Sequence, residues 1–90
     1  MSQSYKVEYL SPTEKFFKKH PTNLCAQILK KVDFIAKDPF APNSNLTQLK
    51  DPVSGFRLRI GNFRIIYILD KENHRLIVVK IDHRSSVYKP

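Results

Sequence analysis

The chain has 90 residues and a formal net charge of +8, from 16 Lys and Arg against 8 Asp and Glu. That is room for one small domain with an economical core, and its cation excess excludes an acidic solvating segment while pointing to a polyanion: nucleic acid, an anionic membrane surface or an acidic protein. With 41% hydrophobic residues, 2 Gly and 1 Cys, general disorder, a glycine-rich phosphate loop, an internal disulfide and a multi-cysteine zinc site are all excluded.

The first segment, Tyr5 to Leu10, alternates with period two and puts Tyr5, Val7 and Tyr9 on one face of a strand. Ser11-Pro12-Thr13-Glu14 then reads as an N-cap, a proline at the first helical position and a glutamate in capping-box register. The helix they open is expected to run to about His20, with Phe16 and Phe17 inward, Lys15, Lys18 and Lys19 outward, and Pro21 ending it. A second helix is expected from about Thr22 to Lys37, its buried stripe made by Leu24, Cys25, Ile28, Leu29, Val32, Ile35 and Ala36.

Asp38 to Asn45 carries Pro39, Pro42, Asn43 and Ser44 and reads as a loop. Leu46 to Gly55 is read as irregular, with Leu46 and Leu49 anchoring it. From Phe56 the pattern is β: Phe56–Ile60, a Gly61-Asn62 turn, Phe63–Leu69, a turn near Asp70–His74, and Leu76–His83. The tail from Arg84 to Pro90 is polar. One strand, two helices and three strands give an α+β fold, an N-terminal strand and helical hairpin packed on a mainly antiparallel four-stranded sheet, as a single domain over residues 1–90. The longest apolar run, Ile65 to Leu69, is far below the roughly 20 residues that span a bilayer. MSQSYKVEYL lacks the apolar core of a signal peptide. The expected location is therefore the cytoplasm, with no membrane partner.

All five arginines, Arg57, Arg59, Arg64, Arg75 and Arg84, fall after residue 55. Guanidinium groups bind phosphate bidentately and keep their charge. A two-residue Gly61-Asn62 loop, of the II′ type that Gly-X favours, would set Ile60 opposite Phe63, Arg59 opposite Arg64 and Arg57 opposite Ile66. Phe56, Leu58, Ile60, Phe63, Ile65 and Tyr67 then form an apolar face, and Arg57, Arg59 and Arg64 share the other. Like charges directly across a ladder are destabilising, so a sequence shaped by folding alone avoids that pair. The bland alternative is that arginines solvate an exposed sheet face. The three together read as a phosphate clamp.

A second constellation, His83-Arg84-Ser85-Ser86-Val87-Tyr88, holds an imidazole, the side chain that exchanges protons near neutral pH, a permanent cation and a tyrosine able to donate or stack. His20 and His74 read as structural, at an element end and in a turn, and Cys25 as core. Lys15, Lys18, Lys19, Lys30 and Lys31 read as solvated helix faces. Asp70, Glu72 and Asp82 show no metal-ligand spacing, so neither a metal nor another cofactor is expected.

The run Phe56-Arg57-Leu58-Arg59-Ile60-Gly61-Asn62-Phe63-Arg64-Ile65-Ile66-Tyr67, followed by a hairpin and His83-Arg84-Ser85-Ser86-Val87-Tyr88, resembles the RelE/ParE superfamily of type II toxin–antitoxin toxins, in its RelE-like branch. The N-terminal strand and helices, and Gln48-Leu49-Lys50 before the arginine strand, extend the resemblance over nearly the whole chain. It implies a ribosome-dependent mRNA endoribonuclease that inhibits translation, acts on mRNA in the ribosomal A site and is neutralised by a cognate antitoxin, the free toxin being monomeric. It implies metal-independent cleavage, in which the 2′-hydroxyl attacks phosphorus and leaves a 2′,3′-cyclic phosphate. On this resemblance Arg57, Arg59, Arg64 and Arg84 stabilise charge on the phosphate, His83 transfers protons and Tyr88 stacks or orients. Some relatives carry lysine at the places of Arg57 and Arg59, and another branch has a glutamate where Thr47 stands here. Two other readings are carried: a ParE-like inhibitor of DNA gyrase or another topoisomerase, and a nucleic-acid-binding module without catalysis.

Overall fold

The computed structural model describes residues 4–41, 46–48 and 55–83. In chain order the elements are β1 (Lys6–Tyr9), α1 (Ser11–Lys19), α2 (Thr22–Lys37), β2 (Leu46–Gln48), β3 (Gly55–Ile60), β4 (Phe63–Asp70) and β5 (Arg75–His83). One sheet holds all the strands in the order β1-β5-β4-β3-β2. The first strand runs parallel to β5, and the other pairs are antiparallel. The α+β class expected from the sequence is the one observed, but the sheet has five strands rather than four. The extra one is β2, inside the stretch read as irregular. Three residues on a sheet edge are too few for a period-two pattern to register, and pairing with Phe56–Leu58 is what makes them a strand.

At its far end β1 passes directly into α1. The Leu10 amide donates to the Val78 carbonyl at 3.1 Å, and the Leu10 carbonyl accepts from the Thr13 and Glu14 amides at 2.9 and 3.3 Å. The Thr13 hydroxyl, fully buried, also donates to that carbonyl at 2.6 Å. Leu10 rather than Ser11 therefore stands at the cap, without a side-chain cap bond, and the expected capping box is not formed. Strand pairing fixes Leu10 extended, so the helix starts one residue earlier than the side-chain signals imply.

Helix α2 buries Cys25, Ile28, Val32, Ile35 and Ala36. Leu24 lies half-buried at the flank of that stripe, and Leu29, expected inside, is 39% exposed at the other flank. The core joins Ile28, Val32, Ile35 and Ala36 of α2 to Tyr5, Leu58, Ile65, Tyr67, Leu69, Leu76, Val78 and Ile81, with Phe16, Phe17, Leu24, Phe56 and Ile60 packed against them. The Cys25 thiol donates to the carbonyls of Phe17 and His20 at 3.5 and 3.7 Å, a core role as expected. Leu49, Pro42, Asn43 and Ser44 lie outside the described residues. No helix among the described residues is long and apolar enough to cross a membrane.

Two turns fix the strand registers. Gly61 has φ +56 and Asn62 is not in the positive-φ region, the pattern a II′ turn requires. In the β4–β5 turn His74 takes φ 52 without being glycine. Its carbonyl accepts from the Lys6 amide at 2.8 Å and its ring lies 5.2 Å from that of Tyr5, so contacts with β1 hold the unfavourable backbone in place. The Asp70 carboxylate accepts from Asn73 Nδ2 at 2.9 Å and from Arg75 Nη2 at 2.8 Å, and Arg75 reaches Glu8 at 2.9 Å. Hydrogen bonds from Asn73 and Arg75 hold the Asp70 pKa down at about 2.

Candidate phosphate-binding face

The β3–β4 register is the one the turn predicts: Ile60 opposite Phe63, Leu58 opposite Ile65, Arg59 opposite Arg64, and Arg57 opposite Ile66. Residues directly opposite share a face. Leu58 and Ile65 are fully buried in the core, so the alternating partners Arg57, Arg59 and Arg64 share the face turned away from it. Arg59 is exposed, and Arg57 and Arg64 are half-buried. Opposite side chains in such a pair have Cβ atoms about 4.5–5.5 Å apart, close enough for the Arg59 and Arg64 guanidiniums to reach one phosphate together.

Register also brings in residues that sequence reading did not select. Asp82 stands opposite Arg64 on its other flank, and Lys80 stands opposite Ile66. Lys80 Nζ and Asp82 Oδ2 are 3.3 Å apart. Thr47, exposed, is opposite Arg57 on β2. Among the described residues this band of the face holds four cations, Arg57, Arg59, Arg64 and Lys80, tempered by Asp82. Nothing in the local sequence announces Lys80 and Asp82, because β5 carries an irregularity opposite Ile66 and Tyr67 that shifts its register.

His83 is not on that band. It pairs with Phe63 at the end of β5, and its ring meets the Phe63 ring edge-on at 4.9 Å. Phe63 in turn meets Phe16 and His20 of the helical layer at 5.4 and 5.7 Å. The imidazole therefore sits on the helix-bearing side of the sheet, and the three arginines sit on the other. His20 closes the aromatic group: its ring stacks on Phe16 at 3.8 Å, and Nδ1 donates to the Phe16 carbonyl at 2.8 Å. Arg84 and Tyr88 lie outside the described residues. Among the described residues no group of three His, Cys, Asp or Glu could hold a metal ion.

The family model for the ParE toxin of the type II toxin–antitoxin system parDE matches residues 7–88. The toxin RelG of Mycobacterium tuberculosis is 22% identical over 89 residues, covering 94% of this chain and 97% of RelG. Among solved structures, the archaeal RelE–RelB complex from Pyrococcus horikoshii superposes with TM-score 0.78 at 19% identity, covering 91% of this chain and 97% of that one. A mutant of the E. coli toxin RelE in the free state gives 0.77 at 15% identity, covering 93% and 87%. The RelBE2 toxin–antitoxin complex from M. tuberculosis gives 0.74 at 20% identity, covering 91% and 93%. At these identities the superpositions establish a RelE-like fold, and with a family match spanning most of its length the chain belongs to the ParE toxin family, within the RelE/ParE superfamily of type II toxins.

Proposed function

We propose that the chain is a metal-independent endoribonuclease that cuts mRNA on the ribosome and is held inactive by a cognate antitoxin. The observation that carries this reading is the Arg59–Arg64 pair set directly across β3 and β4, with Arg57 on the same face. Such a pair opposes folding and is useful once a phosphate lies between its members. In cleavage the 2′-oxygen bonds to phosphorus as its proton leaves, the bond to the 5′-oxygen breaks, and that oxygen takes up a proton. Charge builds on the non-bridging oxygens, where fixed cations act most strongly.

Guanidinium groups keep their protons, so the arginines supply positioning and charge. Proton transfer, worth about 10²–10⁴-fold per group, falls either to His83 at the end of β5 or to a group on the arginine face, where Asp82 is the carboxylate beside Arg64. By the family resemblance Arg84 adds a further cation and Tyr88 orients the substrate.

The match to the ParE family favours a second reading, inhibition of a DNA topoisomerase without catalysis. One pair of assays separates the two. Purified protein is added to translating ribosomes and breaks are mapped by primer extension, with naked RNA as control, while the same protein is tested against DNA supercoiling. Breaks confined to translated mRNA, lost in the Arg59→Ala/Arg64→Ala double variant, are expected. Intact mRNA together with blocked supercoiling would overturn the proposal.

A further inference from the structure

Arg59 belongs to two surfaces. Besides the arginine face, it borders a groove of about 510 Å³ between the end of β3 and helix α2. On the helix side the groove is lined by Gln27, Lys30, Lys31 and Phe34, and on the sheet side Ile60 and Gly61 follow Arg59. The helical four are spaced i, i+3, i+4, i+7 and so share one side of α2. Phe34 is 65% exposed, a large aromatic left in water on a helix whose other apolar stripe is already used by the core. The Lys31 ammonium lies 5.7 Å from the centroid of the Phe34 ring, so positive charge and an open π-surface sit together. Among the described lining residues three are cations and none is acidic.

We infer that this groove seats one nucleotide of the RNA strand adjacent to the phosphate held on the arginine face. Its base stacks on Phe34 and its phosphate lies among Lys30, Lys31 and Arg59. This rests on the ribonuclease reading and adds to it a positioning residue, Phe34, outside the arginine cluster. Three properties select RNA over an acidic protein segment. The groove is the size of a small-ligand pocket, whereas a docked helix needs anchors repeated over two or more turns. Aromatic platforms beside cations are how single-stranded nucleic acid is gripped without base-specific hydrogen bonds. Arg59 also links the groove to the phosphate face, so one strand can occupy both in succession. Gln27, at the rim, is the lining side chain able to donate and accept toward a base edge.

The test uses the full chain on programmed ribosomes, comparing wild type, Phe34→Leu, Phe34→Tyr and Lys30→Gln/Lys31→Gln. Phe34→Leu is expected to raise KM about tenfold or more, the loss typical of one stacked base, with kcat little changed, and Phe34→Tyr to restore it. Replacing both lysines should lower the salt dependence of binding by about one phosphate contact. Independently of cleavage, thiouridine-labelled single-stranded RNA should crosslink to the peptide containing Lys30 to Phe34. An unchanged KM for Phe34→Leu together with crosslinks elsewhere would overturn the inference, as would shielding of Phe34 by an acidic protein but not by RNA. Wild-type protein that crosslinks at α2 yet cuts no mRNA would remove the ribonuclease reading and leave the groove as an RNA site.

Discussion

Replacing Arg59 with glutamine separates folding from function, because the same charge is expected to oppose one and serve the other. Arg59 faces Arg64 directly across the ladder. Two unit charges about 6 Å apart in water repel by about 0.7 kcal/mol, within the range of about 0.2–1 kcal/mol for cross-strand pairs. Asp82, on the far flank of Arg64, offsets part of that, so a gain of about 0.5 kcal/mol is expected on removing the Arg59 charge. For a domain this size that is a rise in Tm of roughly 2–4 °C. Glutamine keeps much of the aliphatic stem and changes little else at an exposed strand position. Urea titrations at low salt measure the gain, and repeating them near 1 M salt, where the Debye length falls to about 3 Å, should erase it. In the ribosome assay the same variant should lose about 10²–10³-fold in cleavage, the usual cost of one placed charge-stabilising donor. A variant less stable than wild type at low salt, or equally stabilised at both salts, would refute the reasoning, since the arginines would then not be held against their mutual repulsion.

Four further outcomes follow from the structure. Because the His83 ring packs on Phe63 on the helix side, His83→Phe should leave cleavage within a few-fold of wild type, and a loss of about 10²-fold or more would return proton transfer to His83. The Asp70 pKa falls from 3.8 to about 2 on folding, so its share of stability is complete above pH 3.8 and is lost as pH falls through about 2; melts across that window should show a decline that Asp70→Asn flattens. The phenol oxygens of Tyr9 and Tyr67 are buried without a hydrogen-bond partner among the described residues, so Tyr67→Phe should raise stability by about 1 kcal/mol in urea titrations. Burial first, and Asp33 second, push the Tyr9 pKa from 10.0 up to about 12, so stability present below pH 10 should fall as pH rises toward 12, and less so in Tyr9→Phe.

The parts of the fold that the sequence made legible are those where a local rule and a tertiary contact agree. Gly61 could be assigned a II′ turn because positive φ is needed at one position only, and that single assignment set the pairing of Arg59 with Arg64. Helix α2 was bounded correctly because Pro21 precedes it and its apolar spacing is regular. What was illegible depends on partners distant in sequence. Leu46–Gln48 becomes a strand only through pairing with β3. The α1 cap falls on Leu10 because Val78 holds it. The irregularity in β5 decides that Lys80 and Asp82 neighbour the arginines. His83 was read with Arg84 and Tyr88 as a second constellation, and only strand alternation and the contact with Phe63 show that its ring lies on the opposite side of the sheet from Arg57, Arg59 and Arg64.

Arg59 is the residue at which the two proposed surfaces meet. It faces Arg64 directly across β3 and β4, and it also borders the groove beside α2, where Lys30, Lys31 and Phe34 stand. A cation shared in this way lets one RNA strand pass from the phosphate face to the Phe34 groove without a gap in the neutralising charge. The like-charge pair that opposes folding is thus placed where one of its members can serve both surfaces.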